Sequence, residues 1–182
     1  MDLAKADLIA RALIDHLNPW CDRIEVAGSI RRRKPEVGDI ELVVIPKDES
    51  AKMSIFQKLL DAGTRVKGQP NGKYIQWHMR AVGPHPNKTD DAMVEYFTLD
   101  LFYATPKNWG LQLAIRTGSA AYSHKVLATG WTRKGYHAAG GVLFDSHGHP
   151  TYIREERELF ELIDRPYEEP QHRDERTHPN LI

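Results

Sequence analysis

Residues 39–45, Asp39-Ile40-Glu41-Leu42-Val43-Val44-Ile45, set two carboxylates at i and i+2 at the start of an apolar, β-branched run. The run reads as a strand, and alternate strand side chains share a face, so Asp39 and Glu41 stand side by side. Neighbouring acids repel unless a cation lies between them. Hard oxygen ligands of this kind suit Mg²⁺ or Mn²⁺. Immediately upstream lies Gly28-Ser29-Ile30-Arg31-Arg32-Arg33-Lys34, a Gly-Ser turn running into a basic stretch. Backbone N–H groups at such a turn attract anions, and guanidinium is a fork suited to phosphate. A phosphate-cradling turn ahead of a divalent-metal pair is equipment for phosphoryl or nucleotidyl transfer.

Bulk properties narrow the classes. The chain has 182 residues, enough for one core, or a main domain with a smaller one. Formal net charge is zero, so any contact with a polyanion must come from local patches. Cys21 is the only cysteine, which excludes an intramolecular disulfide and a Cys-based zinc site. No signal peptide and no apolar run of membrane-spanning length is read, and the expectation is a cytosolic protein, bacterial or viral, with no membrane partner.

Apolar spacing predicts a helix over 2–17, stopped by Asn18-Pro19. Strands are expected at 23–27 and 37–45, and a short helix at 54–60 closed by Gly63. Further strands are expected at 74–80 and 93–103, separated by a loop at 83–87. Beyond Pro106 come two helical stretches (109–115 and 120–129), a hairpin-like piece at 141–153 and a charged helix at 154–163. The tail from Glu168 is expected to be irregular at its end.

Asp100 is the only charge in the apolar stretch 96–103. Taken alone it reads equally as a surface or edge-strand aspartate. Beside Asp39 and Glu41 it fits better as a third metal ligand, or as the base for an attacking hydroxyl.

In chain order, Val26-Ala27-Gly28-Ser29-Ile30-Arg31-Arg32, Val37-Gly38-Asp39-Ile40-Glu41-Leu42, Leu99-Asp100-Leu101, Arg116-Thr117-Gly118-Ser119, Arg133-Lys134-Gly135-Tyr136 and Arg165-Pro166-Tyr167-Glu168-Glu169-Pro170 resemble the motifs of family X DNA polymerases, the polymerase beta group of nucleotidyltransferases. The likeness runs over nearly the whole chain. It implies an α/β (α+β) fold: a nucleotidyltransferase palm at 1–105, with a mixed sheet backed by helices, and a thumb-like subdomain at 106–182. Carried over by position, Asp39, Glu41 and Asp100 would be the catalytic carboxylates holding two divalent ions, Mg²⁺ or Mn²⁺. Gly28, Ser29, Arg32 and Gly38 would meet the triphosphate, Gly118 the sugar, and Ser123 and His124 the base. Arg133 and Lys134 are candidate contacts to template phosphates. The implied partners are a primer-template or gapped DNA and a dNTP or NTP, and the expected state is a monomer.

The chain also departs from the family. Glu41 replaces an aspartate, Ile115-Arg116 stands where vertebrate members carry a Tyr-Phe pair that excludes the ribose 2′-hydroxyl, and Ala120 and Leu127 replace polar residues near base and template. The chain has no stretch resembling the family's helix-hairpin-helix modules, so weak, salt-sensitive DNA binding is expected. Two rival readings remain: a transferase of the same fold with a protein, RNA or small-molecule acceptor, and a non-catalytic nucleic-acid binder. Arg33 and Lys34 face solvent or DNA phosphate, Ser146-His147-Gly148-His149 reads as a polar turn, His78 as structural, Trp77, Trp109, Trp131 and Tyr136 as packing, and Glu155 to Glu158 as an exposed helix face.

Overall fold

The computed structural model describes residues 1–84 and 92–178. The elements in chain order are α1 (Leu3–Leu17), β1 (Cys21–Val26), the single turn α2 (Gly28–Arg31), β2 (Asp39–Pro46), α3 (Glu49–Ala62), β3 (Gly63–Gly68), β4 (Tyr74–Pro84) and β5 (Ala92–Tyr103). There follow α4 (Trp109–Thr117), α5 (Ala120–Tyr122), a π-helical stretch (Ser123–Ala128), α6 (Thr129–Arg133), β6 (His137–Ala139), β7 (Val142–Phe144), β8 (Pro150–Thr151) and α7 (Glu156–Leu162). The protein is a mixed α+β structure whose main sheet has five strands in the order β1-β2-β5-β4-β3. Among the described residues only the β2–β5 pair of this sheet is parallel; its other pairs are antiparallel.

Period-two alternation decides which face of this sheet is which. Ile40, Leu42 and Val44 from β2, Leu99 and Leu101 from β5, and Ile75 and Trp77 from β4 form one core. Helices α1 and α3 cover that face through Ala6, Ala10, Leu17, Ile55 and Leu59. The opposite face carries Asp39 and Glu41 at its start and Val43 and Ile45 further on. Val43, Ile45 and Phe102 pack there against Trp109 and Leu113 of α4. One sheet face therefore holds a polar site at one end and the seat of α4 at the other. The second half has its own core of Leu111, Tyr122, Leu127, Trp131, Leu159 and Phe160.

Several elements differ from the sequence expectation. Helix α3 starts five residues earlier than its apolar pattern, because the Asp48 carboxylate accepts from the Ala51 N–H and caps it. Gly63 is not a left-handed cap; it is extended and opens β3. A Cβ there would lie 2.6 Å from the His78 carbonyl oxygen, so the glycine serves strand approach. Strand β3 escapes sequence detection because Thr64, Arg65, Val66 and Lys67 form a polar edge with no buried alternation. Of the expected 83–87 loop, Gly83 and Pro84 end β4, and the rest lies outside the described residues. The 141–153 hairpin is two strands of a three-stranded sheet, β6-β7-β8. Leu127 is fully buried in the second core.

Trp77, Trp109 and Trp131 are buried, as a packing role requires, whereas His78 is exposed. The largest correction concerns the tail and α7. Glu156 is buried, not solvated, and so are Arg173 and Asp174. The two Glu156 oxygens accept from Arg31 at 2.7 and 2.8 Å, and Oε1 also accepts from Arg173. Lys34 is ion-paired with Asp174 at 3.1 Å rather than left to solvent. Among the described residues no helix is long and apolar enough to cross a membrane.

Candidate functional site

Strand pairing brings the three sequence-selected carboxylates together. Glu41 on β2 is the register partner of Asp100 on β5, and Asp39 pairs with Thr98 two residues before. Asp39, Glu41 and Asp100 thus occupy adjacent positions on one face of two parallel neighbours. Asp100 is 9 % exposed, and its Oδ1 accepts from the Tyr74 hydroxyl and the Gln76 amide, both at 2.9 Å. Tyr74 is stacked on Phe102 with ring centroids 4.9 Å apart, and burial together with its bond to Asp100 pushes its phenol up, keeping the donor protonated.

Like-charge crowding registers in the acids. Burial, and then the Asp100 charge, raises Asp39. Burial, and then Asp39, pushes Glu41 up to about 7, with Arg32 opposing. The ligand oxygens of the three carboxylates do not all fall within 4.8 Å of one another, a spacing that only Asp145, His147 and His149 reach among the described residues. Glu41 instead lies over the Gly28 turn. Gly28 has φ +58°, and a Cβ on it would sit 1.7 Å from Glu41 Oε2, so both the backbone and the carboxylate require glycine.

Beside the acids lies a cavity of about 470 Å³ lined by Arg32, Glu41, Arg116, Gly118, Ser123 and His124, among others. The Arg32 Nη1 donates to the Thr117 carbonyl at 2.7 Å, while its buried Nε has no partner. Arg116 holds its guanidinium 4.0 Å from the Phe102 ring centroid, again with a buried, unpartnered Nε. Burial pushes both guanidinium groups down from their ordinary values. Ser29 Oγ is likewise buried without a partner. Buried polar atoms are normally paired, so the orphaned nitrogens of Arg32 and Arg116, two residues that line this cavity, are ready to donate to a bound acceptor.

Not every expected residue joins this set. Ser123 lines the cavity, but its hydroxyl donates to the Ile115 carbonyl at 2.7 Å. Gly38 is exposed, has open space where a Cβ would go, and lines a different hollow with Met1 and Glu36. Arg133 and Lys134 are exposed at the end of α6, and Lys134 is ion-paired with Asp164. A larger hollow of about 590 Å³ lies against α1, lined by Leu3, Asp7, Arg11 and Arg33 among others. Its acid is consumed by the Asp7–Arg11 pair at 2.8 Å, so it offers no set of ligands.

Sequence reasoning missed Arg116 as a wall of the cavity, noting it only as a departure. It also missed Asp145, whose carboxylate joins the His147-Gly148-His149 turn. An Asp two residues before a His-x-His was the available signal.

No protein-family model matches this sequence, and none of the curated proteins compared with it is significantly similar.

Proposed function

We propose that this protein is a nucleotidyltransferase of the family X DNA polymerase type, adding nucleotides to a primer 3′-hydroxyl in gap filling or repair synthesis. The observation that carries the reading is the juxtaposition of Asp39, Glu41 and Asp100 on one sheet face with the unpartnered Arg32, Arg116 and Ser29 atoms. Acids alone would suit a cation and bases alone an anion; both together suit a metal-bound polyphosphate.

In this reading residues 1–105 are the palm and the remainder a thumb-like subdomain. The donor set fits Mg²⁺ or Mn²⁺: three carboxylates, two of them raised by burial and then by a neighbouring acid, both of which a bound cation would offset. Divalent ions held by Asp39, Glu41 and Asp100 would supply Lewis acidity and neutralise phosphate charge. Tyr74 and Gln76 fix one Asp100 oxygen, leaving Oδ2 to serve the site. Arg32 Nε and Ser29 Oγ would donate to phosphate oxygens, and Arg116 would border the nucleotide. The 3′-oxygen would attack the α-phosphorus as the bond to the β-phosphate breaks, its proton passing to the Asp100 carboxylate and pyrophosphate leaving.

The test is primer extension on a short gapped duplex, with dNTPs and NTPs supplied separately, in Mg²⁺ and in Mn²⁺. Template-complementary extension that vanishes in Asp39→Ala supports the reading. A folded protein that extends no primer under any of these conditions removes it. One observation favours a transferase with a different acceptor: Lys34 and Lys134 are engaged in ion pairs, and net charge is zero, which weakens the case for a DNA footprint. Labelled-nucleotide transfer onto protein or RNA, without a primer, would support that alternative.

A further inference from the structure

We propose that Asp145, His147 and His149 form a second metal site, separate from the sheet carboxylates and suited to a borderline transition ion such as Zn²⁺. The turn joining β7 to β8 builds it. Asp145 Oδ1 accepts from the backbone N–H groups of His147 at 2.9 Å and His149 at 2.8 Å. Two backbone bonds close the same turn: Gly148 N–H to the Asp145 carbonyl, and Asp145 N–H to the His149 carbonyl, each 3.0 Å. Gly148, at φ +80°, supplies the left-handed residue that the turn needs between the two histidines.

This scaffold spends one carboxylate oxygen on the backbone and turns the other toward the imidazoles. Asp145 Oδ2 lies 3.3 Å from His149 Nδ1, and one ligand atom from each of the three residues falls within 4.8 Å of the others. The two rings are close to parallel, at 23°. Ligands about 2 Å from a tetrahedral zinc stand roughly 3.4 Å apart, so small rotations of exposed side chains complete the set. A carboxylate already held by N–H donors has the supporting hydrogen bonds that metal ligands ordinarily carry.

Donor chemistry separates this site from the sheet. Imidazole suits Zn²⁺, Ni²⁺ and Cu²⁺, whereas the oxygen-only carboxylates suit Mg²⁺ or Mn²⁺. Three protein ligands leave a coordination position for water. Binding would pin the β7–β8 turn and so stiffen the small C-terminal sheet.

The experiment uses tag-free, full-length protein. Zn²⁺ is titrated in competition with a chromophoric chelator, with millimolar Mg²⁺ present throughout. One Zn²⁺ of micromolar or tighter affinity is expected. It should weaken by at least about tenfold in His147→Ala/His149→Ala and persist in Asp39→Asn/Asp100→Asn. The His149 side chain is 77 % exposed, so the histidine variant should keep its fold, checked by its circular dichroism. Zn²⁺ should also move the ring resonances of His147 and His149. Equal Zn²⁺ affinity in the wild type and the histidine variant, or loss only in the carboxylate variant, would overturn the proposal. Neither result depends on whether the protein transfers nucleotides.

Discussion

Arg31 and Arg32 are adjacent in sequence and opposite in circumstance. Arg31 donates twice to Glu156 and once to Thr117 Oγ1 at 2.6 Å, inside a cluster completed by Arg173. Arg32 makes one bond to a backbone carbonyl and keeps a buried Nε without a partner. Their acids differ in the same sense. Glu156 sits against two guanidinium groups; burial raises it, but the Arg31 hydrogen bonds and the Arg173 charge outweigh burial and hold it low. Glu41 is raised first by burial and then by the Asp39 charge, and lies high, at about 7. Opposite charges in contact make the Glu156 cluster a clamp between α2 and the C-terminal half, although Arg173 Nη2 is itself buried without a partner. Among the described residues Arg32 has no carboxylate bonded to it and is left for something else to bind.

That contrast can be broken in four ways, from the largest effect to the smallest. On the proposed nucleotidyltransferase reading, Asp39→Ala and Asp100→Ala should each lower nucleotide incorporation by about a thousandfold or more; Asp39→Ala should leave the thermal midpoint near wild type, whereas Asp100→Ala also strands the Tyr74 and Gln76 donors. Extension assays and a melting curve on the same preparation check both halves. Glu156→Ala should do the reverse. It strands Arg31 and Arg173 and should cost about 3–5 kcal/mol, lowering the melting midpoint by roughly 10 °C or more. An unchanged midpoint would dismantle the clamp.

The third is pH. Glu41 is raised above its unfolded value, so the metal-free protein binds more protons than the unfolded chain between about pH 4.5 and 7 and loses stability as pH rises through that window. The loss from Glu41 is on the order of 1–3 kcal/mol, and Glu41→Gln should remove that part, leaving the contribution of the raised Asp39. Glu156 is depressed, so its stabilisation is present above the unfolded value and is lost as pH falls through the folded one. Glu156→Gln should flatten that acid limb only. Urea melts of the three proteins across pH would show whether the two limbs separate. Fourth and smallest, Arg32→Ala should leave stability within about 1 kcal/mol, the worth of one hydrogen bond, and raise the nucleotide KM about tenfold. Arg116→Ala, read with dNTPs and NTPs, sharpens the same comparison by showing whether the second unsatisfied guanidinium affects the choice of sugar.

Local pattern made the sheet legible. Alternation over 39–45 and the lone acid at 100 were enough to select the acids that the β2–β5 pairing brings together. Where pattern is silent, the sequence reading failed. Strand β3 has no apolar stripe, and its exposed side chains look like a loop. Glu156 looks like any acid on a charged helix, and nothing nearby says that it is buried. Asp145 was passed over because the His-x-His was weighed alone, whereas the folded turn supplies the third ligand.

The sequence by itself determined which side chains share a strand face, because the pleat fixes that within two residues. It determined likewise that Gly28 precedes a basic turn and that acids begin β2. Only the tertiary structure decided which arginine of an adjacent pair is spent and which remains open. The partner of Arg31 lies 125 residues away, and Arg173 arrives with a tail whose composition reads as loose. Charge compensation acts through space, and no local window of sequence contains the distance between two charges.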